Sequence, residues 1–255
     1  MFGRSGRRRR GADGEPFPDA WRQRLAVRWA TWQTLDDAER DRVERLSMSL
    51  IDSFRWEAAQ GFTMTDEMRV LVSAQASLLA LGLDDDVFRR VTSVILHPRT
   101  VVLRGARHVE GGLVSDSPYS ISGQAHHRGP IVLAWSTVAY EARHPDRGQN
   151  VVYHEFAHQL DMLDGTIDGM PPIRDSELRE RWVRACTAEY QAIRRGEERA
   201  LREYAGVDTG EFFAVATETF FSTPLAVRDE APALYSVLAD FYRQDPAARL
   251  ERAHG

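Results

Sequence analysis

The residues of this chain best placed to do chemistry lie between Val151 and Asp161. The run reads Val-Val-Tyr-His-Glu-Phe-Ala-His-Gln-Leu-Asp and contains His154-Glu155-x-x-His158. On a helix, residues four apart stand one above the other on one face, so His154 and His158 can hold one metal ion together. Glu155 follows the first histidine, which sets its carboxylate beside the metal rather than on it. A catalytic Zn2+ takes three protein ligands and leaves a fourth position for water, whose pKa it lowers to about 7. Glu155 is then the general base for that water. The motif fixes only three letters, and a solvated helix could carry it by chance. Its flanks argue otherwise: Val151, Val152, Phe156, Ala157 and Leu160 are apolar, and polar groups on a buried helix need partners.

A third ligand is required. Three carboxylates compete. Glu211 and Glu218 lie seven apart on a strongly apolar stretch that starts near Asp208 or Thr209 and stops by Pro224. That spacing puts both on one helix face, where a metal ion would neutralise one of them. Asp164 would come from the loop after the metal helix, but the chain would have to turn back at Asp161, where a glycine would serve better. The second helix is therefore favoured. Asp161 falls on the ligand face and suits an acceptor for a histidine N–H; Glu218 could serve likewise. The remaining histidines, at 97, 108, 126, 127, 144 and 254, lack ligand spacing and read as surface residues.

Several elements must position these groups. Asn150 is an N-cap for the metal helix. Thr34 to Asp37 resembles a capping box, opening an amphipathic helix through Val43, Leu46, Leu50 and Phe54. A second helix runs from Thr65 or Asp66 to Leu79 and stops at Gly82. Trp21, Trp29 and Trp32 read as the core face of an earlier helix. Residues 90–136 read as a small mixed or antiparallel sheet, with strands at 91–96, 101–103, 119–122 and 131–135. Ile131, Val132 and Leu133 are assigned to an edge strand beside the metal helix, to which a peptide substrate adds through main-chain hydrogen bonds. Ser176 caps a charged helix with Trp182, Val183, Cys186 and Tyr190 inside. Another helix spans Pro232 to Tyr242. The expected class is α+β: a mainly helical metallopeptidase-like domain with a small sheet. A basic, disordered tail covers 1–19, and a single domain covers 20–255. Within that domain, N-terminal helices fill 20–85, the sheet and metal helix 86–163, and C-terminal helices 175–250.

Composition narrows the function classes. A net charge of −5 gives no reason to expect nucleic-acid binding. All 33 basic residues are arginine. The single cysteine, Cys186, excludes an intramolecular disulfide framework and fits a cytoplasmic protein. No window approaches the roughly 18 apolar residues of a membrane span.

The run from His154 to Asp161, then Glu211-Phe212-Phe213-Ala214-Val215 with Phe220-Phe221-Ser222, resembles the Mlc titration factor A family. These are cytosolic peptidases named for binding the glucose repressor Mlc. The likeness takes in Gln60-Gly61-Phe62, the stretch Gly129 to Leu133, and Phe241 to Pro246, covering roughly residues 20 to 250. Residues 1–15 have no counterpart. The resemblance implies a gluzincin-type, zincin-like zinc site related to the lethal-factor catalytic domain. It implies His154, His158 and Glu211 as ligands and Glu155 as general base. It also implies that Tyr204, otherwise a packing residue, donates its hydroxyl to the oxyanion. The expected function is a zinc metallopeptidase, an aminopeptidase among its forms, acting on a peptide or protein substrate. The alternative is a regulator-binding protein that sequesters an Mlc-like transcriptional repressor, its zinc site weak or structural.

Overall fold

The computed structural model describes residues 16–99, 130–197 and 199–254. Residues 1–15 of the tail expected over 1–19, the strands expected at 101–103 and 119–122, and His108, His126 and His127 lie outside the described residues. Within that expected tail, Phe17 is buried in the core and Asp19 begins a helix, so the folded chain starts earlier than residue 20.

Helix α1 (Asp19–Arg28) ends before Trp29, and a short 3-10 turn over Ala30–Thr34 carries Trp32 inward. The capping box sits two residues later than its expected start. Asp36 accepts from Glu39 N–H and the Glu39 side chain accepts from Asp36 N–H, opening α2 (Asp37–Ser53). Strand β1 (Arg55–Ala58) follows at once. Thr65 caps α3 (Asp66–Leu79), which is buried almost throughout and packs between α2 and the metal helix. It ends at Leu79, short of the expected stop at Gly82, where a Cβ would stand 2.1 Å from the Tyr242 carbonyl oxygen.

Strands β2 (Ser93–His97) and β3 (Ile131–Ala134) complete a sheet ordered β1-β2-β3. Both pairings are parallel, with Trp56 opposite Val94 and Val94 opposite Ile131. The expected pairing was mixed or antiparallel. Parallel neighbours need a crossover, and α3 provides it between β1 and β2. Trp135, expected in the last strand, instead begins α4 (Trp135–Glu141).

The metal helix is α5 (Val151–Asp161). Then come α6 (Ser176–Arg194), capped by Asp175 rather than Ser176, and α7 (Thr209–Ser222). The chain closes with α8 (Pro224–Glu230), α9 (Pro232–Tyr242) and α10 (Pro246–His254). Val183, expected inside α6, is 49% exposed, whereas Trp182 beside it is buried.

Helix α5 is the hub. Phe156 is fully buried and meets Phe54 and Phe88 on one side of the core. Burying such a ring contributes about 1.5–3 kcal/mol. On the other side α5 packs along α7, whose Phe213, Phe220 and Phe221 join Trp182 and Tyr242 in an aromatic cluster. The α+β class holds. Among the described residues no helix is long and apolar enough to cross a membrane.

Candidate metal centre

Helix α5 enters the core with its first turn tied down. Asn150 Oδ1 accepts from Val152 N–H at 3.1 Å and Tyr153 N–H at 3.0 Å, the expected N-cap. Its amide donates to Gln75 Oε1 on α3 at 2.7 Å. Glu141 at the end of α4 accepts from Val151 N–H at 2.6 Å. The Tyr153 hydroxyl accepts from Trp29 Nε1 at 3.1 Å. The donors that a helix leaves open at its start are thus met by two buried side chains, Asn150 and Glu141. Asp208 caps α7 by accepting from Glu211 N–H at 2.8 Å, which fixes where Glu211 leaves the helix.

Three donor atoms converge. His158 Nε2 is 3.2 Å from His154 Nε2, His154 Nε2 is 3.1 Å from Glu211 Oε2, and His158 Nε2 is 3.8 Å from Glu211 Oε1. Two atoms bound to one tetrahedral zinc at about 2.0–2.1 Å stand roughly 3.3 Å apart. The observed spacing fits that triangle. His154, His158 and Glu211 form the metal-compatible group found among the described residues. The Glu211 side chain is 12% exposed, so the site keeps one face towards solvent.

The surroundings shape protonation. Burial pushes His158 down to about 4, aided by His154, so its imidazole is neutral at pH 7. Burial also disfavours charge on His154, but Glu218 and Glu211 outweigh it and bring it up to about 10. Burial lifts Glu155 to about 7; His154 opposes the rise, while Glu211 and Glu218 add to it. These are the preferences of the protein groups alone. A divalent cation among them would ionise the carboxylates and displace the proton from His154.

Glu218 sits behind His154, accepting from its Nδ1–H at 2.5 Å. It also accepts from Asn150 N–H at 3.0 Å and from both terminal nitrogens of Arg202, at 3.0 and 2.9 Å. Burial works against its charge, but His154 and Arg202 hold it below the usual carboxylate range. Tyr204 lies in a 3-10 turn over Glu203–Gly206, its ring 6.3 Å from that of His154.

Asp161 behaves differently from expectation. Its Oδ2 accepts from Gly169 N–H at 2.9 Å instead of from a histidine, and its Oδ1 is buried without a hydrogen-bond partner. It therefore pins the loop after α5. Gly169 is suited to that place: its φ is +79° and a Cβ would meet Thr209 O at 2.3 Å. Asp164 is turned away, accepting from Thr166 N–H and Oγ1 at 3.0 and 2.7 Å in a local turn. Ile131 and Leu133 are buried, Val132 is partly exposed, and β3 is an edge strand among the described residues, beside α5.

Sequence reasoning missed Arg202, Glu141 and Gln75. None carries a periodic or motif signal, because each partner lies ten or more residues away in the chain. The only hint was negative: a buried Glu218 needs a cation.

A family model described as glucose-regulated metallo-peptidase M90 matches residues 4–243, so it reaches into the 1–15 stretch for which no counterpart was expected. A Serratia proteamaculans protein named Mlc titration factor A is 32% identical over 238 residues, 91% of this chain and 89% of its own length. An Edwardsiella ictaluri protein of the same name is 33% identical over 247 residues, 93% and 90% of the two chains. A Synechocystis sp. protein described as uncharacterized protein slr2042 is 31% identical over 236 residues, covering 91% and 86%.

Proposed function

The chain belongs to the glucose-regulated metallo-peptidase M90 family, and from that premise we propose that it is a zinc-dependent peptidase of gluzincin type. The observation that carries the reading is the convergence of His154, His158 and Glu211 donor atoms, 3.1–3.8 Å apart, next to a buried Glu155. When bound there, zinc supplies Lewis-acid chemistry, polarising a water and the scissile carbonyl.

The chain's own groups do the rest. Glu155 takes the proton of the attacking water. Its buried setting, which holds its pKa near 7 before any cation acts on it, makes the carboxylate a usable acceptor and later a usable acid. It returns that proton to the leaving amine. Tyr204 stays protonated, because burial and the nearby Glu211 carboxylate push its pKa up. Its hydroxyl is therefore a donor to the oxyanion. Strand β3, at the edge of the sheet among the described residues, would give the substrate main chain a partner, and the buried Ile131 and Leu133 side chains anchor that strand in the core.

Glu155→Gln is the test. The variant should bind zinc like wild type and lose at least about 100-fold in peptide-reporter turnover, the contribution of a general base. Turnover equal to wild type would defeat the mechanism.

Relatives bearing the name Mlc titration factor A favour a second activity. We propose that a transcriptional repressor of the Mlc kind is a partner of this chain, bound independently of catalysis. Binding of purified host repressor homologue should survive Glu155→Gln; no binding by either form would remove this reading.

A further inference from the structure

We propose that Arg202 is the positioning residue of the metal centre: its guanidinium fork fixes Glu218, Glu218 fixes His154, and the same guanidinium, over the Tyr204 ring, steadies Tyr204. The proposal rests on the zinc reading above and adds a residue that the metal motif does not specify.

Arg202 Nη1 donates to Glu218 Oε2 at 3.0 Å and Nη2 donates to Oε1 at 2.9 Å. A carboxylate gripped at both oxygens has its plane set as well as its position. Oε1 also accepts the His154 Nδ1–H at 2.5 Å, and Oε2 accepts Asn150 N–H at the head of α5 at 3.0 Å. Once Nδ1–H is committed, the Nε2 lone pair must point from the far edge of the ring. There it meets His158 Nε2 at 3.2 Å and Glu211 Oε2 at 3.1 Å. The same guanidinium lies 5.6 Å from the centroid of the Tyr204 ring, a cation–π distance. Arg202 thus touches the supports of one ligand and the ring of the oxyanion donor, from a single side chain.

Charge balance points the same way. Glu155, Glu211 and Glu218 carry three negative charges in a buried space, and a divalent ion cancels two. Arg202 cancels the third, which would otherwise be an uncompensated buried charge. Lysine would supply that charge without the planar fork, so the two contributions can be separated. Arg202 is 25% exposed and borders an open cavity of about 760 Å³ lined also by Glu197, Arg199 and Glu203. Truncation therefore admits water rather than leaving a dry hole, and the variant should fold.

The test uses the full chain and zinc alone. Affinity is read by competition with a chromogenic chelator, and ligand geometry by the d–d absorption of the cobalt(II)-loaded protein. Arg202→Ala should weaken zinc about 10–100-fold, the range for outer partners of a metal ligand, and lower the cobalt band. Arg202→Lys should recover only part of the loss. In a Glu218→Gln background, Arg202→Ala should cost no more than about twofold further, since the two act as one unit. Zinc affinity within about twofold of wild type for Arg202→Ala, or losses that multiply in the double variant, would overturn the role of Arg202. Wild type that binds no zinc would remove the zinc reading itself, and this proposal with it.

Discussion

His154 and His158 stand one turn apart on α5 but in different company. His154 has Glu218 at its Nδ1, and behind Glu218 stand Arg202 and the backbone of Asn150. His158 Nδ1 is buried with no hydrogen-bond partner among the described residues, and so is Asp161 Oδ1 three residues on. One side of the site is oriented by charge and hydrogen bonds. The other is oriented by the helix and by packing. The first arrangement fixes a ring's tilt to within a hydrogen bond's tolerance. The second leaves the ring freer, yet burial keeps it neutral and ready to ligate. The contrast suggests a division of labour: His154 sets the metal's place and His158 adapts to it.

The largest expected effect breaks the comparison at its root. His154→Ala and His158→Ala should each weaken zinc beyond the roughly 100-fold that outer partners set, measured by chelator competition. Only His154→Ala should also destabilise the metal-free protein appreciably, by about 1–3 kcal/mol in urea unfolding, because it removes the buried hydrogen bond from His154 Nδ1–H to the charged Glu218. Equal costs for the two would erase the distinction.

Next comes the sparse side. Gly169→Ala forces a side chain into left-handed backbone and against Thr209 O at 2.3 Å. It should cost about 1–3 kcal/mol and loosen the loop that Asp161 and the Trp182 indole hold at Gly169. Thermal unfolding and proteolysis between α5 and α6 would report it.

The smallest effect is a pH dependence. Burial lifts Asp161 to about 6, against 3.8 for the ordinary group. The folded state therefore binds more protons than the unfolded state between those values. The contribution of Asp161 to stability is full below about pH 4, falls as pH rises to 6, and is flat above it. Asp161→Asn keeps an acceptor for Gly169 N–H and removes the titration. Its stability relative to wild type should rise by about 1–2 kcal/mol from pH 4 to pH 7. A constant difference across that range would show that Asp161 is not desolvated in this way.

Much of this could be read in the sequence where the signal is local. The spacing of His154, Glu155 and His158, the Asn150 cap, and the apolar run around Glu211 all depend on neighbours a few residues away. Glu211 and Glu218 were separable only by likeness to a family, since both share a face of α7; the fold separates them by depth, one beside the histidine nitrogens and one behind the ring. The sheet was harder. Arg55 to Ala58 is four residues long with charges at two of them, and strand direction depends on α3 crossing between β1 and β2. Arg202 was invisible because its meaning comes from Glu218, sixteen residues on, a separation with no helical or motif period. Asp161 was misjudged for the opposite reason: its helical position faces the histidines, but Gly169 N–H reaches it first.

The central claim is that His154, His158 and Glu211 hold one catalytic zinc. Zinc content of the purified chain, measured by elemental analysis after dialysis and compared with Glu211→Ala, tests it most directly. About one equivalent is expected in wild type, the stoichiometry of a three-ligand site, with loss of that zinc in Glu211→Ala together with peptidase activity. Zinc retained in full by Glu211→Ala would contradict it.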